Sequence, residues 1–321
     1  MEENLNVTYL TLDGHVEVSK YRYLYFMTFL LVYVLILCSN CTVVYLIWKK
    51  TDLHEPMYVF IAALLLNSVL LSTNIYPKLL LDFLSDTQVI SHQACLLQYS
   101  LIYLLGSSEF LLLAAMAYDR YVSICKPLHY QSIMRRTTVC VFLAAAWLLP
   151  ACQQAGLSIL SAQQKLCSFT LKFIFCNNSI YKLFCVTSRA ITVFGVFIMS
   201  NTVVGPVIFI VFTYTRILLI CYHSSADVRR KAAHTCLPHL LVLSNYFCLF
   251  MYEVITVRLD YDFPKAARLI MSLQVVLYNP LFNPFIYGLK MKEIRKHLKI
   301  YLYFTDEVNW DMGEDLMGGV S

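Results

Sequence analysis

Two adjacent charges, Asp119 and Arg120, close a long apolar run within Met116-Ala-Tyr-Asp-Arg-Tyr-Val-Ser-Ile-Cys-Lys-Pro-Leu-His-Tyr130. A guanidinium set in hydrocarbon costs roughly 2.5–3.5 kcal/mol on the lenient insertion scale, so a charge placed there reads as a working part with the neighbouring acid as its partner. The chemistry that such a pair performs is exchange of one ionic partner for another, not bond making. The plain alternative is a charged pair that marks a helix end. Glu109, three turns earlier in the same run, is a second charge out of place. An isolated carboxylate at that depth is neutral or bound to a cation. The histidines His54, His92, His129, His223, His234, His239 and His297 are scattered, mostly in loops or at helix ends. They show neither metal-ligand nor nucleophile–base spacing. The reading is therefore no enzyme, no metal site and no cofactor, with each histidine in a loop or interface role.

The elements that must hold these residues follow from composition. Hydrophobic residues make up 59% of the chain and charged residues 14%, against about 25% charged in soluble domains; the mean hydropathy is +0.62. Seven apolar runs are expected to be helices, at about 23–48, 57–81, 96–125, 138–160, 190–221, 233–257 and 267–289. Each is near the length that crosses the hydrocarbon layer, and several are apolar on every face, as lipid-surrounded helices are. Strands of a membrane barrel alternate instead. The predicted fold is an all-α membrane protein, a seven-transmembrane helix bundle. Its two halves do not mirror each other, which argues against a transporter of repeated bundles. After the bundle, residues 290–304 read as a short amphipathic membrane-surface helix, with Met291, Ile294, Leu298 and Leu302 at helical spacing among basic residues. Residues 305–321 form a short acidic tail and residues 1–22 a polar arm without the pattern of a cleaved signal.

The net charge of +5 leaves no nucleic-acid footprint, because the basic residues are spread over short connections. They are more useful for orientation. With the N-terminus outside, 13 of the 25 basic residues fall on the inner loops or just after the last helix. On that orientation Asn6 is an expected glycosylation site, Asn177 is a second candidate, and Asn40 is discounted as intramembrane. Cys95, Cys167, Cys176 and Cys185 would face the oxidising side, where four cysteines allow three pairings and spacing does not choose among them. The other eight cysteines read as small buried hydrophobes.

The Asp119-Arg120-Tyr121 segment resembles the signature of odorant receptors, a branch of the rhodopsin-like G-protein-coupled receptors. Four further segments resemble that family in the same order: Leu53-His-Glu-Pro-Met-Tyr58, Tyr214, Lys231-Ala-Ala-His-Thr-Cys-Leu-Pro-His-Leu240, and Asn279-Pro-Leu-Phe-Asn-Pro-Phe-Ile-Tyr287. The Leu-His-Glu-Pro form and the short charged tail look most like fish odorant receptors.

The resemblance implies disulfides Cys95–Cys176 and Cys167–Cys185. It implies that Arg120 is the switch, held at rest by Asp119 and by polar groups at the foot of the sixth helix. Tyr214 and Tyr287 would offer hydroxyls to the rearranged site, beside Tyr121, Asn283 and Pro284. It gathers Asn40, Asn67, Ser68, Asn279 and Asn283 around Glu109. Ser68 stands where many relatives carry an Asp, which puts sodium binding in doubt. The ligand pocket is expected among the outer halves of the third, fifth, sixth and seventh helices, with Tyr99, Tyr103, Gly106, Ser107, Ser200, Asn201, Tyr252, Glu253 and Gln274 as candidate liners. Ile102 replaces the anchoring Asp of amine receptors, and Leu277 replaces the retinal lysine of opsins.

The function so implied is binding of small odorant molecules from outside and activation of a stimulatory, cAMP-raising heterotrimeric G protein. The setting would be the lipids of the cell membrane, multi-pass, in olfactory neuron cilia. The rival readings are a rhodopsin-like receptor for a non-odorant peptide or lipid, and a membrane transporter or channel.

Overall fold

The computed structural model describes residues 8–186, 188–222, 225, 230, 236–237, 239–251, 264–291, 293–298 and 300. Seven helices carry the fold: α1 (Val18–Lys49), α2 (Pro56–Leu84), α3 (His92–Cys125), α4 (Arg136–Ala162), α5 (Arg189–Tyr222), α6 (His239–Met251) and α7 (Lys265–Lys290). Six of them are long and apolar enough to cross a membrane, and α6 is a shorter apolar helix. The helices overrun the apolar runs at several ends. α1 starts at Val18, not at 23, and is kinked at Tyr21, where the amides of Lys20 and Tyr21 both bond to the Glu17 carbonyl; long side chains such as those of Lys20 and Arg22 reach back to water from a helix end. α2 runs on to Leu84, carrying the ion pair Lys78–Asp82 one turn apart. Residues 233–235, 238 and 252–257 of the expected sixth run lie outside the described residues.

α3 is the hub of the bundle and packs against α2, α4 and α5, while α1 packs against α2 and α7. Phe110, Leu112, Leu113 and Met116 of α3 are buried in one cluster with Phe60, Leu64, Ile210 and Tyr214. In lipid the hydrophobic effect gives little between helices, so close van der Waals packing and interhelical hydrogen bonds must hold them.

The loop end is closed by an element the composition did not announce. Strand β1 (Tyr9–Leu12) pairs antiparallel with β2 (Val89–Ser91) and parallel with β3 (Thr170–Leu171). Leu10 and Leu12 alternate inward with period two and are buried with Leu96 and Leu171. Gly14 follows because nothing larger fits: a Cβ there would lie 2.3 Å from the Phe173 carbonyl carbon. Within the arm read as polar, Tyr9–Leu12 are thus a strand of a small sheet. Below the sheet, Cys95 is bonded to Cys176 and Cys167 to Cys185.

At the opposite end, residues 293–298 are helical. Met291 and Ile294 are buried in the bundle cluster and Leu298 approaches Gly288, so these three face the protein, not lipid; Leu302 lies outside the described residues. The His297 ring donates to Asp52 at 2.7 Å, in the turn between α1 and α2. That bond holds the Asp52 carboxyl below its ordinary pKa.

Candidate functional site

The last turns of α3 place Asp119 with no solvent exposure and Arg120 with its side chain 12% exposed. Arg120 Nε donates to Asp119 at 3.0 Å, and the terminal nitrogen closes a second contact on the same oxygen. The other carboxylate oxygen accepts from the Tyr130 hydroxyl at 2.8 Å. Tyr130 opens a single helical turn, Tyr130–Ile133, which folds back beneath α3. A buried acid is tolerable only when paired and fully hydrogen-bonded, and here both oxygens are used. Burial first, and then the Asp119 charge, push the Tyr130 hydroxyl above its ordinary pKa, so it remains a donor. Tyr121 is half-buried against the same cluster. The residues expected at the foot of the sixth helix, 231–235 and 238, lie outside the described residues.

Tyr214 is buried and does not touch Asp119. Its hydroxyl lies 2.5 Å from Nδ1 of His239, whose Nε2 lies 3.0 Å from the Leu113 carbonyl. A carbonyl only accepts, so Nε2 carries the proton; in the neutral ring Nδ1 is then the acceptor and Tyr214 donates. His239 is 1% exposed. This corrects the expectation of a loop or interface histidine: it bridges α3, α5 and α6. Tyr287 is fully buried, and its hydroxyl has no partner among the described residues.

The intramembrane polar residues divide among four sets of partners. Asn283 donates to Glu109 at 3.3 Å and to Ser68 at 3.2 Å. Asn40 instead donates at 2.9 Å to the Pro280 carbonyl. Pro284 has no N–H to offer the carbonyl four residues before it, so Asn40 satisfies the acceptor that Pro284 leaves open. Asn67 donates to the Leu105 carbonyl at 2.9 Å and receives Trp147 Nε1 at 3.4 Å. Asn279 accepts from Asn245 at 2.8 Å. Of the cluster expected around Glu109, Asn283 alone bonds it among the described residues; Asn40, Asn67 and Asn279 each tie a different helix.

A cavity of about 330 Å³ lies toward the sheet end, between α3, α4, α5 and the loop 166–185. Tyr99, Tyr103 and Ser107 line it from α3, as the sequence suggested. Gly106 does not; it accepts the Tyr246 hydroxyl on its carbonyl at 2.8 Å, where a Cβ would stand 2.9 Å from that oxygen. Ser200 is exposed and bonds back to the Val196 carbonyl, and Asn201 accepts from Gln153 of α4. The reason is a π-helical turn at Ser200–Val204. Its extra residue rotates the helix face, so Thr202 and Val203 face the cavity in place of Ser200 and Asn201. Gln274 is half-buried in α7 and does not line the cavity; Tyr252 and Glu253 lie outside the described residues.

The sequence missed the α4 wall, Gln154 and Leu157, and the loop residues Asn178, Tyr181 and Lys182. The loop is docked by Tyr99 and Tyr181, whose hydroxyls lie 2.7 Å apart, and by Tyr103, which accepts from the Asn178 amide at 3.2 Å. The signal available was the density of tyrosines at helical spacing on α3. Asn177 is 1% exposed and its oxygen accepts from Ser179, so this candidate sequon has no room for a glycan in the folded chain. Asn6 lies outside the described residues. At the other end of the molecule, Asp52, Glu293 and His297 bring their ligand atoms within 4.8 Å of one another, with both carboxylates exposed.

The olfactory receptor family model matches residues 29–304. The chain is 36% identical over 310 residues to the olfactory receptor-like protein COR5 of Gallus gallus, covering 91% of this chain and 94% of that protein. It is 33% identical over 279 residues to olfactory receptor 2T27 of Homo sapiens, covering 86% and 87%. It is 30% identical over 315 residues to olfactory receptor 6E1 of Mus musculus, covering 95% and 99%.

Proposed function

This chain belongs to the olfactory receptor family, and from that membership we propose the signalling cycle that its two ends perform. It is an odorant receptor, a multi-pass membrane protein and not an enzyme. In the proposed cycle a small odorant enters from the extracellular side and occupies the cavity beside Tyr99, Tyr103 and Ser107. Binding favours a conformation in which Arg120 leaves Asp119 and meets a stimulatory heterotrimeric G protein, which raises cAMP. Tyr214, exchanging His239 for the opened site, and Tyr287 would complete that arrangement, with Asn283 and Pro284 supplying the bend in α7.

The observation that supports this reading is the reach of one helix. α3 carries the cavity at Tyr103 and Ser107 and the Asp119–Arg120 pair four turns further on, with Glu109 and Leu113 bonded to α7 and α6 between them. An odorant acts only through preferring one conformation. Moving a population from 1:99 to 99:1 needs about 5.5 kcal/mol of such preference, so a weak odorant is a partial agonist.

Residues 1–22 are taken as extracellular, 290–304 as the membrane-surface segment and 305–321 as a cytoplasmic tail, in a ciliary membrane of olfactory neurons. The disulfide-bonded loop end supports the outward N-terminus, since such bridges persist on the oxidising side. The fish-like subgroup rests on the Leu53-His-Glu-Pro56 form and the short charged tail and draws no support from the human, mouse and chicken relatives. A cAMP reporter screened with odorant mixtures tests the cycle: responses should appear in the wild type and vanish in Arg120→Ala at equal surface density. Ligand-dependent flux through liposomes without any G protein would instead favour a transporter or channel.

A further inference from the structure

We propose that the preferred ligand is a slender anionic amphiphile, a carboxylate whose head sits at Lys182 and whose apolar tail runs inward along α5. The proposal rests on the odorant-receptor reading and adds the chemical class of its ligand. Shape comes first. The cavity holds about 330 Å³, the low end for small-molecule sites. Its α3 wall runs from Tyr99 to Ser107, about 12 Å of helix. A wall of that length accommodates an extended chain.

Polarity then orients the chain. Lys182 carries the one formal charge among the described lining residues, and no carboxylate lines the wall. Beside it at the loop end stands Asn178. Lys182 has an interaction within the protein, for which a ligand carboxylate must compete with a full negative charge. The inner end is apolar in effect: Ile198 and Phe250 line it, and the two hydroxyls there are engaged, Thr202 donating to the Ile198 carbonyl at 2.9 Å with Ser107 at 3.3 Å. Gly195 lies between the two ends, and a Cβ built on it meets nothing within 4 Å. A side chain added at Gly195 would start in open space at the cavity wall.

The test compares butanoic, hexanoic and octanoic acids with the corresponding alcohols, by cAMP reporter and by saturation-transfer NMR on receptor in nanodiscs. Acids should act at concentrations about tenfold or more below the alcohols, the range of one charge-assisted hydrogen bond. Lys182→Gln should abolish that difference while Lys182→Arg keeps it, and Gly195→Leu should remove the longest acid first. Equal potency of acids and alcohols in the wild type, or an acid preference that survives Lys182→Gln, overturns the ligand class. So does a receptor that answers neutral odorants and ignores acids, an outcome that leaves the receptor reading intact. Lys182-dependent binding of octanoate without any cAMP response upholds the ligand class and overturns the coupling.

Discussion

The Tyr214 hydroxyl and the His239 ring lie 2.5 Å apart inside the bundle, and the same ring reaches the Leu113 carbonyl at 3.0 Å. One neutral imidazole therefore fastens α5 and α6 to α3, on the helix that also carries Asp119 and Arg120. Each such bond contributes about 0.5–1.5 kcal/mol net, enough to shift a two-state equilibrium about two- to tenfold. His239→Phe, which keeps an aromatic ring and removes both bonds, should raise cAMP without ligand by the product of two such factors, about fourfold to a hundredfold, at matched surface density. Tyr214→Phe breaks one bond at constant volume and should give the smaller rise. Unchanged basal activity in both variants would show that this contact is packing and not restraint.

Asp119 is held by two donors, Arg120 and Tyr130. Tyr130→Phe removes one and leaves the ion pair, so basal signalling should rise about fivefold, the equivalent of about 1 kcal/mol. Asp119→Asn removes the charge and should exceed it. A reporter assay without odorant, corrected for surface labelling, reads the order: wild type, then Tyr130→Phe, then Asp119→Asn.

The two disulfides should differ in weight. Cys95–Cys176 closes 81 residues and Cys167–Cys185 closes 18. Chain entropy assigns them about 4.5 and about 3 kcal/mol. Paired substitution of Cys95 and Cys176 by Ser should lower thermal stability in nanodiscs more than paired substitution of Cys167 and Cys185, and should trap more receptor inside the cell. The reverse order would mean that the loop 166–185 nucleates the outer face by itself.

His15 offers a pH prediction outside the membrane. Burial against Phe83 lowers its pKa from 6.5 to about 4, and the positive charges of Lys78 and Lys265 add to the shift. Between those values the unfolded chain binds a proton that the folded chain refuses, so stability falls as pH drops from about 6.5 toward about 4, at most about 1.4 kcal/mol per unit. Melting curves at neutral and acidic pH should converge for His15→Gln relative to the wild type. A wild type equally stable at both pH values would place this imidazole in solvent.

The helices were legible because lipid leaves few alternatives: a backbone in hydrocarbon must satisfy its own hydrogen bonds, so runs such as 57–81 announce themselves by composition. Their ends were not, because Lys20 can extend a helix beyond the apolar layer with its charge in water, and the buried Asp82 does so by pairing with Lys78 one turn away. The liners of α3 were readable from the repeat of Tyr99, Tyr103 and Ser107. Those of α5 were not, because the π turn at Ser200–Val204 breaks the 3.6-residue count on which Ser200 and Asn201 rested. His239 was misjudged for a related reason. A lone histidine near an inner loop carries no sequence mark of whether it faces water or, as here, a carbonyl on a neighbouring helix. Strand β1 was hidden because its partners, β2 and β3, are distant in sequence and only two or three residues long.

The central claim is that Arg120, released from Asp119, is the group that carries the signal to the G protein. The direct measurement is nucleotide exchange on a purified stimulatory G protein by receptor in nanodiscs, with an activating odorant, for the wild type and Arg120→Ala at equal ligand occupancy. Ligand binding retained with exchange reduced to the receptor-free rate is the expected result. Exchange at the wild-type rate with the guanidinium removed would contradict the account.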